Sequence, residues 1–214
     1  MNEKIKLDII SDVVCPWCIV GYKRLQKAIS ELGIEDKLEI EWQPFELNPS
    51  MPIEGQNMGE HLSQKYGSSV QDNNQNKERL KTLGAEEGFT FNFFDDMKMV
   101  NTRDSHVLIE YAKEQNKQTE LNIRLIEAFY TEKKDISNRE VLKQELLTVG
   151  LNSIEALERL DKSKYKEEVE AKEQLWQNMG VSGVPTIVFN RKSALTGAQP
   201  TEVYKQVLTE LLNE

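Results

Sequence analysis

Both cysteines of the 214-residue chain lie in the segment SDVVCPWCIVGYKRL, residues 11–25. Cys15 and Cys18 are three residues apart, a spacing that suits a redox couple, a disulfide staple, half of a metal site or a buried pair without chemistry. A staple that closes so short a loop would stabilise a chain of this length little. A tetrahedral zinc site needs further ligands, and the chain offers only His61 and His106. The spacing therefore favours a redox pair, and we expect no metal.

The residues on either side of the cysteines predict the elements that position them. Upstream, KIKLDIISD alternates apolar and polar side chains, which is typical of a strand. Downstream, apolar or small side chains recur at helical spacing until Gly33, which suits a helix C-cap; they are Cys18, Tyr22, Leu25, Ile29 and Leu32. KLEIEWQPF then alternates again. A strand, a helix and a strand with short connections predict a βαβ unit with parallel strands.

This order of elements predicts different roles for the two thiols. Active sites of open α/β sheets lie at the carboxyl ends of the strands, where Cys15 falls. Pro16 suits the first helical position, so Cys15 becomes the N-cap. The backbone N–H groups of Trp17 and Cys18 would then bind a Cys15 thiolate, which the helix dipole also favours. We expect Cys15 to be the exposed attacking thiol and Cys18 the sheltered resolving thiol.

The far end of the chain predicts a second group of elements. VPTIVFN reads as a strand, SALTG as a short returning strand, and an amphipathic helix begins near Pro200. A C-P-x-C at a helix start, a GVP loop before a hairpin and a closing helix resemble a thioredoxin-fold protein. PFELNP at 44–49 and TGAQP at 196–200 resemble the DsbA-like branch called the FrnE family, which is related to 2-hydroxychromene-2-carboxylate isomerases. The resemblance covers most of the chain.

The resemblance implies an α/β, thioredoxin-like fold with a large helical insertion domain. We expect residues 1–50 and 164–214 to form the discontinuous thioredoxin-like domain and residues 51–163 to form the insertion, which should roof a cleft over the cysteines. By the same resemblance, Pro185 is a cis proline beside the cysteine pair. Val184 then offers backbone groups to an extended substrate segment, and Pro16 and Trp17 complete the expected substrate-binding residues.

Two departures from the family pattern leave open whether the protein oxidises or reduces its substrates. Trp17 stands where the similar motif of strongly oxidising DsbA proteins, C-P-H-C, has histidine. Ile9 stands where thioredoxin-like enzymes often carry an acidic residue for proton transfer to the buried thiol.

The middle of the chain predicts mostly helices. Ser137 and Glu140 form an S-x-x-E capping box, and the polar segment SSVQDNNQNKER reads as a loop or a solvated helix face. The aromatic run FTFNFFDDM, residues 89–97, is expected to pack between the two parts rather than contact substrate. His106 lies off the apolar face of its helix, which favours the surface over the cleft, and His61 is expected to be structural or exposed.

The function predicted from the sequence is thiol–disulfide exchange on protein or small-molecule thiols and disulfides. No dissociable cofactor is needed, with glutathione considered as a co-substrate. The net charge of −9 argues against nucleic-acid and anionic-membrane partners. Charged residues at the amino terminus and the lack of a long apolar run favour the cytoplasm. A glutathione-dependent isomerase or transferase and a redox-switched binding protein or chaperone are the alternatives. Oligomeric state stays open.

Overall fold

The computed structural model describes residues 4–213. The strands of this part are β1 (Ile5–Ser11), β2 (Leu38–Pro44), β3 (Gln56–Asn57), β4 (Lys98–Met99), β5 (Thr186–Phe189) and β6 (Ser193–Thr196). The helices are α1 (Pro16–Leu32), α2 (Met58–Tyr66), α3 (Val70–Glu86), α4 (Arg103–Glu114), α5 (Gln118–Tyr130), α6 (Arg139–Thr148), α7 (Ser153–Leu160), α8 (Ser163–Asn178) and α9 (Thr201–Leu212).

Four of the strands form one mixed sheet in the order β2-β1-β5-β6. β1 and β2 are parallel, with Ile5 opposite Leu38 and Ser11 opposite Pro44. β5 runs antiparallel to β1, and β6 runs antiparallel to β5. The predicted βαβ unit and the predicted hairpin with its closing helix are therefore confirmed, as is the thioredoxin-like α/β fold.

Helix α1 begins and ends where its sequence predicts. Cys15 is the N-cap, Pro16 is the first helical residue, and Gly33 ends the helix with φ 63°. The Gly33 N–H donates to the carbonyls of Ile29 and Ser30, and only glycine takes this left-handed conformation at no steric cost. Buried apolar residues such as Leu25 and Ala28 line one face of α1, and the helix packs against α9.

The helices between β2 and β5 share their core with the sheet. Leu7 of β1, Leu25 of α1 and Leu125 of α5 belong to one continuous cluster of buried apolar residues. α8 packs against both β2 and α4. The division of the chain at residues 50/51 and 163/164 therefore stays a prediction, since the core crosses it.

The structure decides two local predictions for the middle of the chain. The N-cap of α6 is Asn138, whose side chain accepts hydrogen bonds from the N–H groups of Glu140 and Val141. The predicted Ser137–Glu140 capping box is therefore wrong by one residue. The polar segment after Ser68 is helical, because Ser69 and Asp72 form a reciprocal capping box at the start of α3.

Candidate active site

Cys15 occupies the predicted N-cap, but its thiol does not make the predicted hydrogen bonds. Its backbone is extended, with φ −91° and ψ 111°, and its side chain accepts no N–H of the first turn. The Cys18 N–H donates instead to the Cys15 carbonyl oxygen at 3.1 Å. Cys15 Sγ lies 3.8 Å from the carbonyl oxygen of Val184.

Cys15 is also far less accessible than expected. Only 3% of the residue is exposed, so the prediction of an exposed thiol is wrong. Side chains of α2, α3 and the aromatic segment around Phe93 form a roof on the far side of a cavity from the start of α1. Cys15 lies on the wall of the cavity beneath this roof.

The cavity has a volume of about 410 Å³. The redox turn and the proline loop contribute Cys15, Trp17 and Val184 to its wall. The roof contributes apolar side chains such as Leu80 and Phe93 and an equal number of polar or charged ones: His61, Ser68, Asp72, Asn73, Asn76 and Lys77. Clefts of this size with a mostly apolar accessible surface and some polar groups are typical of small-molecule sites. A cavity between Cys15 and helices α2 and α3 agrees with the expectation that the insertion roofs a cleft over the cysteines.

Cys18 lies one turn further along α1 and is 1% exposed. Burial raises the pKa of the Cys18 thiol well above its usual value, and the neighbouring Cys15 side chain adds to the rise. The Ser11 side chain and the Asp12 backbone act in the opposite direction. The two thiols are not bonded to each other in the structure. Cys18 is thus sheltered as the sequence predicts and needs help to lose its proton near neutral pH.

The Val184–Pro185 peptide bond is cis. Pro185 also packs against α1 at Gly21, where an added Cβ would lie 3.3 Å from Pro185 Cγ and 3.3 Å from Ala198 Cα. The absence of a side chain at Gly21 lets α1 approach both the proline loop and the TGAQP loop closely. The start of α1 therefore meets the proline loop and the TGAQP loop, which lie more than 160 residues away along the chain.

Trp17 is half-buried on the cavity wall, and the Arg79 guanidinium of α3 lies 5.3 Å from its ring centroid. The prediction that the aromatic run, residues 89–97, packs inside the protein holds for part of it. Phe89 and Phe91 are buried in the core, whereas Phe93 lines the cavity.

Both histidines have partners that the sequence did not predict. His106 is 3% exposed rather than on the surface, and its Nε2 lies 3.5 Å from Asp12 Oδ1. Its partner belongs to the β1–α1 loop, so no local pattern near residue 106 indicates its burial. His61 is half-buried, with its ring nitrogens 2.8 Å from Gln56 Oε1 and 2.9 Å from Asn48 Oδ1, and it lines the cavity.

Sequence reasoning missed two residues that support the redox turn. Tyr130 at the end of α5 donates its hydroxyl to the Val14 carbonyl at 2.7 Å, and burial raises its pKa well above the usual value. Asp12 accepts the Cys15 N–H on its carbonyl at 3.0 Å and the Leu47 N–H on its carboxylate at 2.8 Å. The signal for Asp12 was its place three residues before Cys15; no signal pointed to Tyr130.

Within residues 4–213, no group of three or more His, Cys, Asp or Glu side chains is arranged to hold a metal ion. None of the helices described is long and apolar enough to cross a membrane.

The fold and this site define a thioredoxin-fold protein with a C-x-x-C pair at a helix start and a cis proline beside it. Residues 6–209 match the DSBA-like thioredoxin domain family, so the chain belongs to that family of thiol–disulfide oxidoreductases and related isomerases. The family resemblance predicted from the motifs is thereby confirmed.

Solved structures support the same assignment. A probable DsbA oxidoreductase from Streptomyces coelicolor is 30% identical and superposes with a TM-score of 0.92, covering 98% of this chain and 91% of its own. The cytosolic disulfide reductase DsbM from Pseudomonas aeruginosa, solved with GSH, is 19% identical with a TM-score of 0.68, covering 98% and 100%. A 2-hydroxychromene-2-carboxylate isomerase is 15% identical with a TM-score of 0.72, covering 97% and 96%. These neighbours match the FrnE-like branch that the sequence resembled.

Proposed function

We propose that this protein is a thiol–disulfide oxidoreductase in which Cys15 attacks the substrate and Cys18 resolves the mixed disulfide. The observation that carries the proposal is the position of the two thiols. Cys15 lies at the start of α1 on the cavity wall, and Cys18 lies one turn behind it with 1% exposure. Thiol–disulfide exchange through a mixed disulfide needs one reachable thiol and one protected neighbour.

The reaction balances without a dissociable cofactor. The Cys15 thiolate attacks one sulfur of a substrate disulfide and releases the other as a thiolate, which takes a proton. The Cys18 thiol loses its proton and attacks the Cys15 sulfur, which forms the Cys15–Cys18 disulfide and releases the second substrate thiolate. Thiols such as glutathione reverse these steps and regenerate the dithiol, with glutathione disulfide as the product.

The roofed cavity favours small-molecule thiols and disulfides over folded protein substrates. A substrate reaches Cys15 through a cavity of about 410 Å³, and the Val184 carbonyl oxygen borders its sulfur on one side. We propose that Trp17, Pro16, Val184 and Pro185 orient the substrate, and that Val184 pairs with the backbone of a peptide-like thiol. The GSH bound in the Pseudomonas reductase supports glutathione as the co-substrate.

The likeness to a cytosolic reductase also supports the cytoplasm as the proposed location. There the direction of exchange depends on the reduction potential of the pair against the glutathione pool. Equilibration of the protein with defined ratios of reduced to oxidised glutathione measures this potential. A strongly reducing value indicates a reductase, and a strongly oxidising value indicates a disulfide donor.

Trapping with oxidised glutathione tests the roles of the two cysteines. We expect Cys18→Ser to accumulate one glutathione on Cys15, because the resolving thiol is missing. The wild type should form the Cys15–Cys18 disulfide instead, and Cys15→Ser should react far more slowly than either. Intact-protein and peptide mass spectrometry after acid quenching identifies each species. Rapid glutathione addition to Cys18 in the Cys15→Ser variant would reverse the assignment.

The likeness to the isomerase supports a second candidate function, that of a glutathione-dependent isomerase. The isomerase shares the fold with a TM-score of 0.72, and the cavity beside Cys15 would suit a small substrate as well. Isomerisation with glutathione does not need a second thiol. An isomerase activity that survives Cys18→Ser would therefore replace the redox proposal.

A further inference from the structure

The face of α3 that lines the cavity is mostly polar. It consists of Asn73, Asn76, Lys77 and Leu80, whose spacing of three and four residues places them on one side of the helix. A helix face that turns inward usually carries apolar side chains, and here only Leu80 is apolar. The exchange reaction proposed above uses neither the two amides nor the lysine, so it does not explain their place in the cavity.

Helix α3 also contacts the redox motif itself. The Arg79 guanidinium lies 5.3 Å from the ring centroid of Trp17, which stands between the two cysteines. A cation over an aromatic face at this distance is attracted by the ring. The helix positions three and four residues from Arg79 carry no acidic side chain; they are Gln75, Asn76, Thr82 and Leu83. α3 therefore carries positive charge beside the cysteine motif.

Lys77 is a half-buried cation that lacks an acidic partner within residues 4–213. The helix positions three and four residues away hold no acid; they are Asn73, Asn74, Leu80 and Lys81. Three other half-buried lysines on helices each pair with an acid: Lys81 with Glu78, Lys166 with Asp104 and Lys172 with Glu110. Lys77 instead lines the cavity that contains Cys15.

The other ionisable side chains of the roof leave the charge of Lys77 unbalanced. Asp72 is the one carboxylate among the described residues that line the cavity, and it accepts hydrogen bonds from the Ser69 N–H at 3.0 Å and the Ser69 hydroxyl at 2.6 Å. Burial lowers the pKa of His61, and both of its ring nitrogens have amide partners. A ligand carboxylate that reached Lys77 would therefore gain a charge-assisted hydrogen bond without displacing an existing partner.

We propose that Lys77 binds a carboxylate of the small disulfide whose sulfur Cys15 attacks. The chain has a formal net charge of −9, which repels small anions in general, so the cation in the cavity selects acidic substrates locally. Disulfides with a carboxylate near the sulfur are then the preferred class, and amines of the same size are disfavoured. This inference rests on the proposed redox function. Lys77 determines specificity and takes no part in the exchange of sulfur bonds.

Three symmetrical disulfides with the same short carbon chain test this selectivity. Dithiodipropionate carries carboxylates, hydroxyethyl disulfide carries neutral hydroxyls, and cystamine carries ammonium groups. In a Cys18→Ser parent protein, Cys15 should attack each disulfide, keep one half as a mixed disulfide and release the other half as a thiolate. Acid quenching and intact-protein mass spectrometry give the second-order rate constant of each addition. The rate constant for dithiodipropionate divided by that for hydroxyethyl disulfide measures the preference for a carboxylate.

Lys77→Gln in this parent should lower that ratio roughly tenfold, the lower end of the range for hydrogen bonds to charged groups, because Lys77 is partly exposed. The rate constant for cystamine relative to hydroxyethyl disulfide should rise, since a repelling charge is removed. Lys77→Arg keeps the charge and should retain most of the preference for the carboxylate. A change in packing alone would not separate the three disulfides by the sign of their charge.

Lys81→Gln is the matched control. It removes the same charge about one turn further along α3, from a half-buried lysine that pairs with Glu78 and is not among the residues that line the cavity, so the ratio should stay at the value of the parent. Circular dichroism checks that each variant is folded, and Lys77→Ala provides a second variant with the same expected fall.

Two outcomes overturn this inference alone. An unaltered ratio in folded Lys77→Gln would show that the substrate carboxylate does not bind Lys77, and an equal fall in Lys81→Gln would show that the charge of α3 acts only as a general field. Failure of all three disulfides to modify Cys15 in the parent would instead overturn the redox function, and this inference with it, so the two failures are distinguishable.

Discussion

At the residue scale, two residues of the same type in one four-residue segment have different environments. Cys15 borders a cavity and the carbonyl of Val184, whereas Cys18 is enclosed by protein and its thiol pKa is raised by burial. The same dependence on environment applies to Glu173. It is one of many glutamates in the chain, but it is buried against other acids and its pKa rises to about 7.

The pKa of Glu173 predicts a stability that falls as the pH rises. Between 4.5, its usual pKa, and about 7 the unfolded chain releases a proton that the folded protein still holds, so unfolding becomes easier through this window. The His106–Asp12 interaction changes stability in the same direction, because its stabilisation is lost as the pH rises through the raised His106 pKa. We expect Glu173→Gln to remove most of this slope and to stabilise the protein above neutral pH. The gain should be on the order of 2 kcal/mol, because a difference of one in pKa corresponds to about 1.4 kcal/mol and solvent screening reduces the full value.

Urea denaturation at a series of pH values measures this effect. The matched control is Glu168→Gln, which removes an exposed carboxylate from the same helix and should leave the slope unchanged. A Glu173→Gln variant that keeps the slope of the wild type would contradict the prediction.

At the element scale, α3 shows how close packing holds the roof over Cys15. Gly84 lies inside this helix, where glycine usually destabilises. A Cβ built there would lie 2.6 Å from Phe91 Cδ2 and 2.7 Å from the Phe89 carbonyl oxygen. The missing side chain lets the aromatic segment pack directly on α3, and Leu80 and Phe93 on the same two segments line the cavity.

Gly84→Ala should therefore destabilise the protein, although alanine is the better helix former. The backbone contact at 2.7 Å cannot move without shifting the segment, so we expect a cost of about 1–3 kcal/mol from overpacking. Ala85→Gly at the neighbouring exposed position should cost roughly 0.5–1 kcal/mol from helix propensity alone. Thermal and urea denaturation compare the two, and a stabilised Gly84→Ala protein would show that the contact is not restrictive.

At the scale of the whole molecule, the Gln118 side chain links helix α5 to the edge of the sheet. β2 is an edge strand, with β1 on one side only. On the open side, the Gln118 amide of α5 accepts the Trp42 N–H at 3.0 Å and donates to the Trp42 carbonyl at 2.9 Å. The amide thus replaces the neighbouring strand, and Gln118 itself is only 7% exposed.

Gln118→Ala should leave both backbone groups of Trp42 buried without a partner. Each such group costs about 1–3 kcal/mol, so we expect a loss of at least about 2 kcal/mol in the free energy of unfolding. Thr119→Val removes the adjacent hydrogen bond to the Trp42 indole at 3.0 Å without stranding the backbone and should cost less. Urea denaturation of the two variants compares these costs, and the reverse order would mean that Gln118 is not the main link at this edge.

The shared core also predicts that both parts of the chain unfold together. Buried apolar residues of the sheet and of the inserted helices form one cluster, so neither part keeps its core alone. Transitions followed by tryptophan fluorescence and by far-ultraviolet circular dichroism should coincide. Two separate transitions would show that the parts are independently stable.

Much of the fold, and the place of the cysteine pair at the start of a helix, could be predicted from the sequence because both depend on short-range geometry. Strand alternation, the helical spacing after Cys18, Pro16 at the first helical position and Gly33 at the end all follow from the backbone of a few neighbouring residues. The cap of α6 was misplaced because Ser137 and Asn138 are both good N-cap residues, and local sequence does not rank them.

The sequence by itself determined that two thiols sit at the start of a helix that follows a strand, and it carried the motifs of the family. Only the tertiary structure decided that Cys15 is almost fully buried, that the Val184 carbonyl oxygen lies 3.8 Å from its sulfur, and that His106 is buried against Asp12. These contacts join residues 94 to 169 positions apart. Burial and the electrostatics that follow from it depend on which distant elements pack together, and a local pattern does not contain that information.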